Sequence, residues 1–327
     1  MMSKLRNSLC ELCTALIFLC GCSNEPLQPI RSGEMWPDNN GEHINAHGGG
    51  VMYYDGTYYW FGENKCDTTS SAMVGVMCYS SRNLTDWKNE GVALSVVDND
   101  SSDIARGCIL ERPKVIYNAK TGKFVMWFHL ELKGKGYAAA RAGVAVSDTP
   151  AGPYRFIRSG RVNAGKLPVN MDGQAVAVLD TLNAKNYEKW WTPEWTDAVN
   201  KGLIVKRDLD GGQMSRDMTL YVDEDGKAYH IYSSEENLTL QIAELSDDYL
   251  SHTGNYVRVA PAGHNEAPAI LQKDGTYWMI TSGCTGWLPM RPVCSRLLPS
   301  SDHGLSIPTL VWDRSRNLRS VDRALIF

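Results

Sequence analysis

One hairpin is written four times along this chain. "AHGGGVMYYDGTYYWFGEN" (46–64), "ERPKVIYNAKTGKFVMWFHLE" (111–131), "SRDMTLYVDEDGKAYHIYSSEE" (215–236) and "EAPAILQKDGTYWMITSG" (266–283) share one plan. Each gives a short strand, a turn built on Asp-Gly or Thr-Gly, and a second strand rich in Tyr, Trp, Val and Ile. In the first three copies two further strands follow, in "MVGVMCYSSRNLTDWKNEG", "RAGVAVSDTPAGPYRFIRS" and "LTLQIAELSDDYLSHTGNY". Four strands per unit, at intervals of about 50 to 65 residues once the stretch 175–214 is set aside, is the arithmetic of a β-propeller. A β-sandwich also has many short strands, but it does not repeat one hairpin with one entry. The expected fold class is all-β, of propeller type.

In a propeller the first strand of each blade lines the axis, so the entries "AHGGG", "ERPK", "SRDM" and "EAPA" meet at one end of the channel. A lone Glu is usually a solvated surface group. Convergence changes that reading, because Glu111, Asp217 and Glu266 become neighbours although far apart in sequence. Glycosidic cleavage needs one carboxylic acid kept protonated for the leaving oxygen and a partner that activates water on the opposite face of the sugar. Like charges and partial burial raise a carboxyl pKa and hold it protonated near neutrality. Glu266 is the candidate proton donor, and Asp217 the group that tunes and orients it. His47 at the channel mouth touches either substrate or structure. Glu63, at the inner end of the first hairpin, reads as a sugar-hydroxyl ligand or a surface group. Trp287 in "CTGW" is a stacking platform beside the acid or a core residue. Glu235 and Glu236 read as structural, at the far end of their strand from the entry.

The four entries, with "NAHGGGVMYYDGTYYWFGENK", "ERPKVIYN", "SRDMTLYVDEDGKAYHIYSSEEN", "EAPAIL" and "TSGCTGW", resemble family 43 glycoside hydrolases from about Ile44 to Trp287. They look most similar to the branch of exo-β-1,3-galactanases and related arabinogalactan-side-chain enzymes. The resemblance implies a five-bladed propeller that works with inversion at the anomeric carbon. It also implies that Glu266 is the general acid, Asp217 the pKa modulator and Glu111 a substrate-binding carboxylate. Most of the family has an Asp base at the first entry, where this chain reads "NAHGGG". The galactanase branch shares that loss and is thought to use a Gln in a Gln-Ser-Thr motif near its fifth blade, which this chain lacks. The implied activity is exo-β-1,3-galactosidase on arabinogalactan. An α-L-arabinofuranosidase of the same fold and a non-catalytic sugar-binding propeller stay open as alternatives.

Residues 31–289 form the expected propeller domain, with a partly helical insertion at about 175–214. Its Trp190, Trp191 and Trp195 either stack on a sugar or, the reading preferred here, pack on one another. After "SGCTGWLP", residues 290–327 lose the strand alternation, and no Tyr occurs after Tyr277. This stretch reads as an aberrant tail with the character of a frameshifted or mis-joined end, leaving the last blade incomplete. At the other end, Lys4 and Arg6 precede the apolar "LCELCTALIFLCGC", too short for a spanning helix. Residues 1–22 read as a lipoprotein-type signal, "LCGC" as a lipobox with Cys22 lipidated, and 23–30 as a tether. The expected location is the bacterial cell envelope, with membrane attachment only through that lipid.

With a net charge of −4 and no basic run, no nucleic-acid partner is expected. The 15 Tyr and 10 Trp against 6 Phe favour side chains with an apolar face and a polar handle, suited to sugars and to sheet cores alike. The expected partner is a polysaccharide or oligosaccharide. Of nine Cys, five lie in the body without a CxxC pair, so neither a zinc site nor a full disulfide framework is indicated, and one bridge is possible. His43 and His47 at i, i+4 would suit a metal only on a helix, which "GGG" opposes. No metal and no cofactor are expected, a structural calcium being the one left open.

Overall fold

The computed structural model describes residues 33–65, 70–183 and 185–284, and the backbone of 293–298 and 311–313. Its strands form four antiparallel sheets, each of four strands in simple up-and-down order. The first holds β1 (His47–Tyr54), β2 (Thr57–Glu63), β3 (Gly75–Ser81) and β4 (Lys88–Ser95). The second holds β5 (Ile109–Asn118), β6 (Lys123–Glu131), β7 (Arg141–Ser147) and β8 (Arg155–Gly160). The third holds β9 (Met218–Val222), β10 (Ala228–Ser234), β11 (Thr239–Leu245) and β12 (His252–Val259). The fourth holds β13 (Glu266–Lys273), β14 (Thr276–Ser282), β15 (Val293–Leu298) and β16 (Val311–Asp313). The four repeated hairpins are thus the inner strand pairs of four sheets. Among the described residues no helix is long and apolar enough to cross a membrane.

Turn chemistry explains the tightest pairs. Asp55-Gly56 and Asp274-Gly275 have positive φ at both positions, the two-residue loop whose twist matches a hairpin, so Tyr54 pairs Thr57 and Lys273 pairs Thr276. Successive first strands lie side by side, β1 against β5, β5 against β9 and β9 against β13, as they do in a propeller. Period-two alternation then builds the layers between sheets. On β6, Phe124, Met126 and Phe128 join Met52, Phe61 and Val76 of the first sheet. Val125 and Trp127, pointing the other way, join Met218, Tyr232 and Tyr256 of the third. A third layer sets Ile231, Leu240 and Ile242 against Tyr277 and Met279 of the fourth sheet. A cavity of about 450 Å³ lies between the first strands, lined by residues 50–53, 114–117 and 219–222.

Three of the four entries carry the same irregularity. Pairing steps from His47↔Glu63 to Gly50↔Phe61, from Glu111↔His129 to Lys114↔Trp127, and from Glu266↔Ser282 to Ala269↔Ile280. Each first strand therefore spends one extra residue, a bulge that bends the strand and re-aims a side chain. The residue after each aimed side chain is left-handed: Gly48 at φ 59°, Arg112 at 55° and Ala267 at 48°. Pro113 and Pro268 follow where a bulge tolerates a missing N–H. At the first entry a Cβ on Gly49 would stand 1.7 Å from the Phe61 carbonyl oxygen, so only glycine fits.

The insertion between the second and third sheets is helical, with α1 (Gly173–Ala177), α2 (Pro193–Asn200) and α3 (Lys206–Asp210). Thr192 caps α2 by accepting from the Trp195 N–H, and Pro193 takes the first turn. Trp195 is fully buried with Leu182, Val199 and Val205, and Trp190 lies under the guanidinium groups of Arg207 and Arg161. The insertion packs its own aromatics, although Trp191 stays 56% exposed.

Two expectations need correction. Stretches 293–298 and 311–313 are strands that complete the fourth sheet, where the sequence suggested no strand after the second. "VCSRLL" does not alternate apolar with polar and "VWD" is only three residues long; β14 supplies the edge that orders the first, and the first orders the second. Four sheets are seen among the described residues. Glu235 and Glu236 are also not at the far end: antiparallel pairing returns the end of β10 to the start of β9, since Ser233 N–H donates to the Asp217 carbonyl. The signal segment, Cys22, the tether, Trp287 and the rest of 290–327 lie outside the described residues.

Candidate active site

The entries converge on one guanidinium. Arg112 donates from Nε and Nη2 to the two oxygens of Asp217, both at 2.8 Å, the paired geometry that a carboxylate and a guanidinium share. Its backbone N–H points at Glu63 Oε1, 3.4 Å away, and the charges of Glu63 and Glu111 also act on it. This pair spans the second and third sheets, and the bulge at Glu111 is what swings Arg112 across.

Glu63 and Glu111 are joined by Lys65, whose Nζ is 2.8 Å from Glu63 Oε2 and 3.4 Å from Glu111 Oε1. Asn45 fixes Lys65 by bonding its backbone N–H and carbonyl at 2.8 and 2.7 Å. His47 Nδ1 lies 3.4 Å from Glu63 Oε1 while its ring stays partly open to solvent. Glu111 also accepts from the Tyr137 hydroxyl at 2.9 Å and faces His129 Nδ1 at 3.3 Å. Burial alone would raise the Glu111 carboxyl, but His129, Tyr137 and Lys65 outweigh it and hold it at about 2.

Glu266 goes the other way. It is half-buried, and burial first and the Asp217 charge second raise its pKa, with Arg112 offsetting part of the rise. Asn237 Nδ2 donates to Glu266 Oε2 at 3.3 Å from a turn in which Glu235, Glu236 and Asn237 are all left-handed. Three such residues in a row are strained and are held by neighbours. Glu235 pairs with buried Arg258 at 2.7 and 2.8 Å, and Glu236 accepts from Arg216 at 3.0 Å. Cys284 Sγ sits on the Asn237 carbonyl, and burial with the nearby charges of Glu266 and Asp217 pushes this free thiol up to about 12.

The site therefore holds carboxyl groups driven apart, Glu111 kept anionic and Glu266 biased toward its proton, which is the division an acid-assisted displacement needs. Lys114 works beneath them. Its Nζ donates to the Gly48 and Gly49 carbonyls at 3.2 and 2.9 Å, and lost hydration first, then Arg112, bring it down to about 7. Among the described residues no cluster of potential metal ligands is present.

Of the residues expected from sequence, Glu266, Asp217, Glu111, Glu63 and His47 come together. Sequence reasoning missed Arg112, Lys65, His129, Tyr137 and Asn237. The hairpin register would have found His129 opposite Glu111.

Residues 182–290 match the family model of glycosyl hydrolases family 43. The chain is similar in structure to a GH43 β-1,3-galactosidase solved with galactodeoxynojirimycin, at 63% identity and a TM-score of 0.77, over 82% of this chain and 77% of that one. A second GH43 β-1,3-galactosidase is 38% identical with a TM-score of 0.63, over 82% of this chain and 46% of that one. An exo-β-1,3-galactanase from Clostridium thermocellum is 34% identical with a TM-score of 0.64, over 86% and 51% respectively. The chain thus spans about half the length of the last two. No curated protein sequence matches it.

Proposed function

The chain belongs to glycoside hydrolase family 43, and we propose that it removes terminal galactose from β-1,3-galactan by an inverting, acid-assisted displacement. It is a glycosidase that hydrolyses O-glycosyl bonds. The observation that carries the finer reading is the raised Glu266 beside an Asp217 clamped by Arg112, together with a Glu111 held anionic. Glu266 gives its proton to the departing glycosidic oxygen. Asp217 keeps that proton in place and, fixed by Arg112, cannot swing in to replace it. Glu111 and Glu63 accept from sugar hydroxyls, and water attacks the opposite face of the ring as the glycosidic C–O bond breaks, its spare proton passing to solvent. The chemistry needs no cofactor.

The names of the similar structures support galactose as the sugar and a β-1,3 linkage as the bond. The fold in this reading is of five-bladed propeller type with an incomplete or altered last blade, the four sheets being four of its blades, and Trp287 is a stacking surface beside the acid. Export with lipid attachment at Cys22 completes it, supported by "LCGC" and the basic start of the chain. Assay with aryl β-galactoside, aryl α-L-arabinofuranoside and β-1,3-galactan tests the assignment. Galactose from the first and third supports it; release from the arabinofuranoside alone, or binding of galactan without release, overturns it.

A further inference from the structure

Behind Glu111 stands a second carboxylate that the displacement does not use. Glu131 is fully buried, and one of its oxygens accepts the N–H groups of Ala139 and Ala140 at 2.7 and 2.9 Å. The other lies 2.9 Å from His129 Nε2. His129, only 1% exposed, turns its Nδ1 toward Glu111 Oε2 at 3.3 Å, an ion-pair contact without hydrogen-bond alignment. The imidazole is therefore held between two carboxylates, one at each ring nitrogen.

A neutral imidazole has one N–H and one lone pair. Whichever tautomer it took, a lone pair would face a carboxylate oxygen away from water. Only the doubly protonated ring presents a donor to both. We propose that His129 is an imidazolium that positions Glu111 and keeps it anionic toward the sugar, with Glu131 as its buried counter-ion; this rests on the assignment of Glu111 as a substrate-binding carboxylate.

The surroundings agree with a charged ring. Glu111 faces it from β5 and Glu131 from its own strand, while Tyr137, 6.0 Å between ring centres, comes from the following loop and bonds Glu111. Lys65 reaches Glu111 from the end of β2. Arg161 and Arg216 stay outside, bonding the carbonyls of Ala138, Ala139 and Tyr137. The two glutamates raise the ring's affinity for its proton against the opposing effect of burial. His129 and Glu131 lie on one face of β6, and the loop after it returns Ala139 and Ala140 to Glu131 and Tyr137 to Glu111. One relay thus fixes both sides of the Glu111 carboxylate.

Nitrogen-detected NMR of histidine-labelled protein tests this without reference to activity. Both His129 nitrogens should still carry protons above the pH at which an ordinary imidazole has lost one, and Glu131→Gln should lower the titration midpoint. A neutral tautomer at about pH 6.5 overturns the proposal. His129→Asn keeps a donor toward Glu111 without the charge. It should raise KM about tenfold with kcat within about threefold, and the loss should deepen below about pH 5 as Glu111 takes up a proton. An unchanged KM across that range also overturns it. If His129→Asn does not fold, the wild-type spectrum decides alone. An imidazolium with Glu111→Gln at normal KM would instead remove the substrate role of Glu111, a failure distinct from that of the charged relay.

Discussion

Glu266 lies between a charge that raises its pKa and one that lowers it, so two substitutions should move its titration in opposite directions. Asp217→Asn removes the charge that favours the protonated acid and leaves Arg112. The Glu266 pKa then falls, and the basic limb of the kcat profile moves to lower pH. Arg112→Met removes the offsetting cation, the pKa rises, and the same limb moves to higher pH. A unit charge roughly 6 Å away at an effective dielectric of about 20 is worth at most about 2.8 kcal/mol, which solvent screening of a half-exposed group reduces to about one pH unit. Asp217 is the stronger influence of the two, so about one unit down is expected for Asp217→Asn and about half a unit up for Arg112→Met. Initial rates on β-1,3-linked galactobiose between about pH 4 and 9, at low and high salt, give the profiles. The displacements should shrink with salt. Shifts of the same sign, or none in either variant, would refute the assignment of Glu266 as an acid tuned by this pair.

Glu266→Gln should lower kcat on galactan about a hundredfold or more while leaving binding intact and sparing aryl galactosides whose leaving group needs no proton, read by parallel kinetics on both substrates. Tyr137→Phe removes the hydroxyl that bonds Glu111 at 2.9 Å; a charge-assisted bond of about 1.5 kcal/mol predicts a KM rise of roughly tenfold with kcat nearly unchanged. Glu235→Ala strands Arg258, 6% exposed, without its carboxylate, and should cost about 3–5 kcal/mol in urea unfolding, most of it recovered by adding Arg258→Met.

The repeated hairpins were legible because Asp-Gly turns and alternating strands state their own pairing, as at Asp55-Gly56 and Asp274-Gly275. From the repeat alone came the meeting of Glu111, Asp217 and Glu266. The partners of those acids were harder to read. Arg112 stands inside "ERPK", but its target lies 105 residues away in another sheet, and no local pattern says which of several acids a guanidinium will take. The bulges are written as Glu-x-Pro at 111–113 and 266–268, a signal that reads as a turn until pairing shows an extra residue in an otherwise continuous strand. Order along the chain puts Glu235 and Glu236 far from the entry, whereas antiparallel register folds each second strand back to it. That same return brings His129 to Glu111 and Asn237 to Glu266. Strand β15 lacks alternation and β16 has only three residues, so β15 takes its order from β14 and β16 from β15.

The most direct test of the central claim is the configuration of the first galactose released from β-1,3-galactan, followed by proton NMR before mutarotation. Inverting, acid-assisted displacement at Glu266 predicts that the α-anomer signal appears first and the β-anomer only as the sugar equilibrates. Initial appearance of β-galactose, or oligosaccharides without free galactose, would contradict it.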